Sequence, residues 1–314
     1  MSDGTAVLLM AYGTPATPAD IESYYTHIRH GRPPAPEQLA ELRNRYERIG
    51  GTSPLLEITR RQQDAVQQAL ARRGLPDMEV ALGMKHAHPF IEEAVAELAG
   101  RGISRIAGVV LAPHYAAMSV GEYEARAIAA AQACPSPPEV TVASSWHLDP
   151  DLLELLGEGL GRTLDEIRSG SGGQRVHVLF TAHSLPARIL EHGDPYPGQL
   201  RETAQALALR LGLERWSVAW QSAGRTPEPW IGPDVLEAMS ELASGGEDCV
   251  VVCPVGFVSE HLEILYDLDI EASAHAAELG IRFARTPLPN DDPRIGEALA
   301  RTALSQLEAR AVPA

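Results

Sequence analysis

The segment RVHVLFTAHS, residues 175–184, shows the pattern that decides the fold. A short run rich in Val, Leu and Phe ends in polar residues and precedes a helical pattern, which is typical of a buried parallel strand. Seven similar runs occur elsewhere in the chain. Together they predict eight strands, over residues 6–13, 78–86, 105–115, 139–147, 175–184, 215–223, 248–257 and 281–287.

Amphipathic stretches lie between these runs, and strands that alternate with helices form parallel sheets covered on both faces. A Gly/Ser-rich segment, RSGSGGQR at 168–175, divides the strands into two groups of four. The sequence therefore predicts an α/β protein with two similar Rossmann-like lobes, each a four-stranded parallel sheet flanked by helices. We assign residues 1–150 to the first lobe and residues 151–314 to the second.

The composition limits the class of partner. The chain has 314 residues and a formal net charge of −16, so nucleic acid and anionic membrane surfaces would repel it. No segment has the roughly 18 apolar residues of a membrane span, and no leader pattern precedes the first strand, so we expect a cytoplasmic protein. Three scattered cysteines, Cys134, Cys249 and Cys253, cannot supply the four ligands that an iron–sulfur cluster normally needs.

Polar and aromatic residues recur where the predicted strands end. Tyr12 lies at the end of the first strand, Lys85 and His86 at the end of the second, and His183 at the end of the fifth. Parallel sheets of this kind bind ligands beyond the carboxyl ends of their strands. We therefore expect these side chains to line a cleft between the two lobes.

The segment after the first strand, residues 13–55, is too long for an ordinary connection and has helical patterns of its own. Its arginines are Arg29, Arg32, Arg43, Arg45 and Arg48. A guanidinium group suits bidentate capture of a carboxylate or phosphate, so the segment is predicted to be a lid or binding loop. Alternatively, the arginines pair at the surface with Glu22, Glu41 and Glu47.

Five carboxylates lie in VGFVSEHLEILYDLDIEA, residues 255–272. On an α-helix, at about 100° per residue, Glu260, Glu263, Asp267 and Glu271 share one narrow stripe. Like charges at this spacing repel one another. The stripe is either the solvated face of an acidic protein or a path for cations, whose charge relieves the repulsion.

His183 and Glu263 are predicted to face each other, because both follow strands of the second lobe at the same sheet edge. One imidazole and one carboxylate make an open metal site, or a base with a charged partner. Such a site suits a metal that is passed on rather than kept. A histidine at the end of a strand can also be a structural residue capped by a backbone carbonyl.

Seven motifs, in order along nearly the whole chain, resemble the ferrochelatase family: MAYGTP, YYTHIRHGRPP, RYERIGGTSPL, GMKHAHPFIEEAV, APHYAAMSVGEY, LFTAHSLP and VGFVSEHLEILYDLDIEA. The likeness is greatest to the soluble coproporphyrin-type enzymes of Gram-positive and related bacteria. It implies that the lobes enclose a porphyrin cleft. It also implies a metal chelatase, of the lyase class, that inserts Fe²⁺ into coproporphyrin III in haem biosynthesis and releases two protons.

The resemblance implies roles for particular residues. His183 and Glu263 are the catalytic pair at the metal insertion site, with Asp267 and Glu271 as an outer carboxylate track. The implied porphyrin contacts are Tyr12, Arg29, Arg45, Tyr46, Ser53 and Tyr123, with Lys85 and His86 near the mouth of the cleft. We expect His183 to titrate near neutrality and so to take up a pyrrole proton or pass on iron. Fe²⁺ is a substrate, no iron–sulfur cluster is expected, and the protein is expected to be a monomer.

Alternative functions share some of these features. The substrate could be protoporphyrin IX instead of coproporphyrin III. A non-catalytic porphyrin or haem carrier would need Tyr12 and the arginines, but not His183 with Glu263. A cobalt or nickel chelatase for a corrin precursor is expected to have a different, often histidine-richer, metal pair. A two-lobed receptor for a small anion would leave the acidic helix unexplained.

Overall fold

The computed structural model describes residues 4–170, 175–224 and 226–308. Eight strands form two all-parallel sheets in these ranges. The first sheet has the order β2-β1-β3-β4, from β1 (Thr5–Ala11), β2 (Glu79–Met84), β3 (Arg105–Val110) and β4 (Glu139–Val142). The second has the order β6-β5-β7-β8, from β5 (Val176–His183), β6 (Trp216–Gln221), β7 (Cys249–Cys253) and β8 (Arg282–Arg285). The predicted strands and the two-lobed α/β fold are confirmed, and each strand ends before its predicted limit.

The helices cover both faces of each sheet. They are α1 (Ile21–Ile28), α2 (Pro36–Arg48), α3 (Leu55–Arg72), α4 (Ile91–Gly100), α5 (Val120–Gln132), α6 (Pro150–Gly170), α7 (Tyr196–Leu211), α8 (Val235–Ser244), α9 (Ser273–Leu279) and α10 (Pro293–Glu308). Two short 3₁₀ helices (Pro18–Asp20 and Ala187–His192) and a π-helix (Ile264–Ala272) complete the set. The long connection after β1 thus contains its own helices, as predicted. No described helix is long and apolar enough to cross a lipid bilayer.

The helix ends follow local sequence signals. At the start of α8, the Asp234 carboxylate accepts a hydrogen bond from the Leu236 N–H at 2.9 Å and so satisfies one of the free donors of the first turn. Helices α7 and α9 end at Gly212 and Gly280, whose φ angles of 62° and 70° lie in the left-handed region that glycine tolerates. The predicted Gly/Ser-rich break is only partly visible, because residues 171–174 lie outside the described residues.

The two lobes share one hydrophobic core. Alternate residues of a strand point to opposite faces, so Leu9 of β1 and Phe180 of β5 belong to a common central cluster between the sheets. Their neighbours Leu8 and Leu179 belong to separate outer clusters, one under α4 and α5 and one under α8 and the π-helix. The central cluster packs the two sheets together, and the site lies at the carboxyl ends of their strands.

The last helix packs on the first lobe. In α10, Gly296 lies so close to the backbone of Ala65 in α3 that an added Cβ would stand only 2.6 Å from the Ala65 carbonyl carbon. Ile295 and Leu299 of α10 share the central core with Val66 of α3. The chain therefore returns to its first half after completing the second sheet. The division of the chain at residues 150 and 151 stays a prediction.

Candidate active site

His183 and Glu263 meet at the carboxyl edge of the second sheet. His183 is the last residue of β5, and Glu263 directly precedes the π-helix Ile264–Ala272, which follows the adjacent strand β7. The His183 Nε2 atom lies 3.6 Å from Glu263 Oε1, and the two side chains are 34% and 35% exposed, so both can be reached from the cleft. His183 Nδ1 donates to the Ser184 carbonyl, and the Tyr196 hydroxyl donates to the His183 carbonyl at 3.0 Å. These bonds leave Nε2 directed at the carboxylate.

The pair is ionised at neutral pH. Desolvation disfavours the protonated form of His183, but the Glu263 carboxylate outweighs it and raises the pKa of His183 to about 9. Desolvation likewise opposes the charge on Glu263, yet His183 and His261 hold the pKa of this carboxyl well below its ordinary value. The expectation that His183 titrates near neutrality is therefore wrong, because the adjacent carboxylate stabilises the imidazolium.

A second imidazole approaches the same carboxylate. His261 Nε2 lies 3.6 Å from Glu263 Oε2, and His261 Nδ1 donates to the Ser259 carbonyl at 2.9 Å. His261 is not among the site residues predicted from the sequence, although it stands two residues before Glu263 in the same motif. Glu263 is thus flanked on both oxygens by imidazole nitrogens. Among the described residues, no closed cluster of three or more His, Cys, Asp or Glu side chains is arranged to hold a metal ion. The arrangement is open.

The acidic helix differs from the predicted α-helix. Residues Ile264–Ala272 form a π-helix, in which hydrogen bonds run from i to i+5 and each turn holds more than four residues. A residue four positions on then falls slightly short of a full turn instead of slightly past it. Glu263, Asp267 and Glu271 therefore still follow one side of the helix. Such π segments are rare and occur frequently at functional sites.

Glu260 is not part of this row, so its place in the predicted stripe is wrong. It precedes the helical segment, and its carboxylate binds Arg285 Nη1 of β8 at 2.9 Å. Asp269 binds the same guanidinium through both of its oxygens, at 2.6 and 2.8 Å. Arg285 thus takes two of the five acids into an ion-pair network beside β8 and leaves three in the row.

Asp267 is the middle carboxylate of the row and is buried. Desolvation and the charge of Glu263 raise the pKa of Asp267 to about 6, and the contacts with Ser222 and Arg45 oppose that rise. Ser222 donates to Asp267 Oδ2, and Arg45 Nη1 lies 3.5 Å from Asp267 Oδ1. The charge of Glu271 acts on Asp267 as well. The role of Asp267 and Glu271 as an outer track stays a prediction.

Aromatic side chains of the first lobe form the opposite wall. Tyr12 follows β1 and is 43% exposed, and its ring lies 4.7 Å from the ring of His86. Tyr46 is buried, with its hydroxyl 3.2 Å from Thr14 Oγ1. Desolvation raises the pKa of both tyrosines, and the charge of Glu263 raises them further, to about 12 for Tyr46. Tyr12 and Tyr46 are therefore close enough to Glu263 to sense its charge across the cleft.

Three further predicted contacts lie behind this wall. Tyr123 is buried, and Lys85 Nζ stands 5.4 Å from its ring centroid while it pairs with Glu122. His86 is buried, and its Nδ1 lies 3.0 Å from His27 Nδ1. Burial, together with the nearby positive charges, lowers the pKa of His86 to about 3, so this imidazole is neutral. Lys85 and His86 therefore already have protein partners.

Arg43 and Arg45 of the long connection have different partners. Arg43 pairs with Glu22 at 3.2 Å on the surface, which confirms the alternative interpretation for this residue. Arg45 pairs with Glu41 at 3.7 Å, as the alternative predicts, and also extends to Asp267 in the second lobe, with its guanidinium carbon 4.6 Å from the ring centroid of Tyr266. Arg45 thus connects the two walls.

Arg29 directly follows α1, and Ser53 stands just before α3. The Arg29 Nε atom is buried and has no hydrogen-bond partner among the described atoms. Ser53 is buried, and its hydroxyl accepts a hydrogen bond from the Leu55 N–H at 3.3 Å at the start of α3. The roles of Arg29 and Ser53 toward a ligand stay predictions.

The fold and the site define a two-lobed α/β protein with an open imidazole–carboxylate site facing an aromatic wall. Two solved structures share the fold at low sequence identity. SirB from Bacillus subtilis with Fe³⁺ has a TM-score of 0.57 and 14% identity, covering 98% of each chain. CbiX, described as the terminal enzyme of sirohaem biosynthesis in denitrifying bacteria, has a TM-score of 0.54 and 13% identity, covering 97% of this chain and 99% of that one.

Sequence comparison defines the family. The ferrochelatase family model matches residues 4–307, and the chain belongs to this family. It is 43% identical over 303 residues to a protein named coproporphyrin III ferrochelatase from Anoxybacillus flavithermus, covering 96% of each chain. The protein of that name from Bacillus subtilis is 41% identical, covering 96% of this chain and 97% of that one. A protein named ferrochelatase from Herpetosiphon aurantiacus is 42% identical, covering 98% and 100%.

Proposed function

We propose that this protein inserts Fe²⁺ into coproporphyrin III in haem biosynthesis, giving Fe-coproporphyrin III and two protons. The observation that carries the proposal is the His183–Glu263 pair, with 3.6 Å between Nε2 and Oε1, near enough to Tyr12 of the first lobe for the Glu263 charge to raise the pKa of that phenol. A planar macrocycle between the two walls would have its nitrogens between a metal-binding pair and a tyrosine. The relatives named coproporphyrin III ferrochelatase support the choice of substrate.

The first wall is proposed to hold the porphyrin. Arg29 and Arg45 are suited to propionates, because a guanidinium group binds a carboxylate in a bidentate manner. The buried Nε of Arg29 has a donor to spare. Tyr12 supplies the exposed aromatic surface, and the buried Tyr46 and Tyr123 support the wall from behind. Binding energy collected at these remote contacts can bend the ring and expose its nitrogen lone pairs, which a flat macrocycle offers poorly.

The second wall is proposed to exchange metal for protons. Because the pKa of His183 is raised to about 9, its imidazole begins protonated and cannot take a pyrrole proton first. A divalent cation that arrives beside Glu263 repels the His183 proton, which leaves to solvent, and frees the Nε2 lone pair for the metal; when the metal passes to the ring, Nε2 takes up one of the two displaced pyrrole protons. Asp267, whose pKa is about 6, can then accept and release protons near neutrality. Iron enters and protons leave on the same side of the ring.

The test is anaerobic Fe²⁺ insertion by the purified protein, with coproporphyrin III and protoporphyrin IX in parallel. Loss of the free-base absorption spectrum measures the rate, and His183→Ala and Glu263→Gln are the inactive variants. His177→Ala is the matched control, since His177 lies on the same strand but bonds to Ser217 at 2.9 Å. We expect turnover of coproporphyrin III that only the first two substitutions abolish.

Two results would redirect the proposal. Faster turnover of protoporphyrin IX than of coproporphyrin III would change the substrate. Tight porphyrin binding without insertion, unchanged by either substitution, would identify a carrier. The protein is also proposed to be a cytoplasmic monomer without an iron–sulfur cluster. Gel filtration and iron analysis of the purified protein test the last two points.

A further inference from the structure

A buried amide in the first lobe joins the second lobe close to the metal pair. Gln62 lies in α3, with none of its surface exposed. Its Nε2 donates to Ser259 Oγ at 2.9 Å and to the carbonyl oxygen of Asn290 at 2.7 Å. Ser259 follows β7 and Asn290 follows β8, so both acceptors belong to the second lobe.

The hydrogen bonds continue from these acceptors toward the site. Asn290 donates its N–H to the Val258 carbonyl at 2.8 Å, and its side-chain Oδ1 accepts from the Glu260 N–H at 2.8 Å. The Ser259 carbonyl accepts from His261 Nδ1 at 2.9 Å. The segment of residues 258–261 is therefore fixed on both sides, two residues before Glu263.

An apolar side chain would fill the same space at lower cost. The Gln62 Oε1 atom is buried without a hydrogen-bond partner among the described residues, and an unpaired buried acceptor is destabilising. Packing alone therefore does not account for an amide at this position. Its two donor hydrogens do, because both are used across the lobe boundary.

We infer that Gln62 is a positioning residue for metal insertion, which fixes the position of the 258–263 segment relative to His183. This inference rests on the proposed function. The carboxylate of Glu263 is held by a segment that α3 supports, whereas His183 is held by β5. Loss of the Gln62 bonds would shift Glu263 and His261 relative to His183. The porphyrin contacts of the first wall make no bond to Gln62 and would stay in place.

The test compares two substitutions on one helix. Gln62→Met keeps the length of the side chain and removes its donors. Gln67→Met is the matched control, since Gln67 Nε2 also donates to two carbonyls, of Met78 at 3.0 Å and Pro76 at 3.3 Å, both inside the first lobe. Coproporphyrin III affinity is measured by fluorescence titration. Fe²⁺ insertion is measured as kcat and as KM for iron.

We expect Gln62→Met to lower kcat/KM for Fe²⁺ about tenfold, with coproporphyrin III affinity within twofold of the parent protein, because small displacements of catalytic groups are costly. Gln67→Met should leave both quantities unchanged. Equal effects of the two substitutions, or a parallel loss of porphyrin affinity in Gln62→Met, would overturn the inference.

Ser259→Ala provides a second route to the same answer if Gln62→Met folds poorly. It removes one acceptor of the amide, and we expect a smaller loss of kcat/KM for Fe²⁺ with coproporphyrin III affinity within twofold of the parent protein. Where Gln62→Met folds, the two losses should not add, because both changes remove the same bond. Full activity of Ser259→Ala, or simple additivity, counts against the inference. Absence of insertion by the parent protein would overturn the proposed function itself, and this inference with it.

Discussion

The two lobes have the same strand order but carry different chemistry at the same sheet edge. In the first lobe, β1 and β2 lead to Tyr12 and His86, which are both neutral at pH 7, since a phenol is ordinarily protonated there and burial lowers the pKa of the imidazole to about 3. In the second, β5 and β7 lead to His183 and Glu263, which are both charged. Tyr12 and His183 stand at equivalent positions, because β1 and β5 occupy the same place in the two strand orders, whereas Glu263 follows β7, whose counterpart is β3. The residues at these strand ends divide the proposed reaction into a wall that holds the ring and a wall that exchanges metal for protons.

The largest effect is expected from His183→Ala, which removes one half of the charged pair. Fe²⁺ insertion should fall on the order of a thousandfold, because neither a metal ligand nor a proton carrier remains at Nε2. Coproporphyrin III affinity, measured by fluorescence titration, should change by less than about threefold. An equal loss of porphyrin affinity and insertion rate would mean that binding and metal insertion are not assigned to separate walls.

A smaller effect, on porphyrin binding instead of Fe²⁺ insertion, is expected from Arg45→Met. Coproporphyrin III affinity should fall roughly tenfold to a hundredfold, as is usual when a charge-assisted hydrogen bond is lost. Arg43→Met is the control on the same helix, because Arg43 pairs with Glu22 at the surface. If the two substitutions weaken affinity equally, the contact is a general charge effect and not a specific one.

The pH profile of Fe²⁺ insertion tests the role of Asp267 in the second wall. Asp267 has a pKa raised to about 6, so its ionised form increases as pH rises through 6. The kcat/KM for Fe²⁺ should increase several-fold between about pH 5 and 7 in the parent protein, and Asp267→Asn should lose this step. A profile with the same step in Asp267→Asn would assign it to another group.

The raised pKa of Asp267 also affects stability. This contribution to stability decreases as pH rises, whereas the activity increases. The folded protein binds the Asp267 proton more tightly than the unfolded chain does, so this contribution to stability is present at low pH and lost as pH rises through 6. The free energy of unfolding of Asp267→Asn, relative to that of the parent protein, should therefore be higher at pH 8 than at pH 4. Urea unfolding at both pH values measures the difference, and a difference independent of pH would contradict the raised pKa.

The smallest effect is expected from Glu271→Gln. If the outer carboxylates deliver cations, removing the outermost charge should raise KM for Fe²⁺ two- to threefold and leave kcat unchanged. Increased ionic strength should reduce the difference in KM between Glu271→Gln and the parent protein, because salt screens charges near the surface. An unchanged KM at low ionic strength would leave only Glu263 and Asp267 in the metal path.

Much of this arrangement could be predicted from the sequence, because it depends on local patterns. The strands follow from apolar runs with polar ends, and the parallel order brings His183 and Glu263 to one edge of the second sheet. The helical periodicity also placed Asp267 in line with Glu263. The ferrochelatase resemblance correctly indicated the family.

Other features depend on contacts between distant parts of the chain and could not be predicted from local patterns. The sequence predicts an α-helix where the structure has a π-helix, since i to i+5 bonding leaves no mark in the spacing of the acidic residues. Glu260 leaves the acidic row only because Arg285, on the next strand, binds it. The raised pKa of His183 required the actual distance to Glu263.

The most direct measurement of the division between the walls is made on Glu263→Gln, with binding and insertion followed on the same sample. The amide keeps the shape of the carboxylate and removes its charge. Coproporphyrin III should still quench the protein fluorescence with nearly the parent affinity, while Fe²⁺ insertion falls to the background rate. Insertion at close to the parent rate, or loss of porphyrin binding together with insertion, would contradict the assignment of metal chemistry to the second wall.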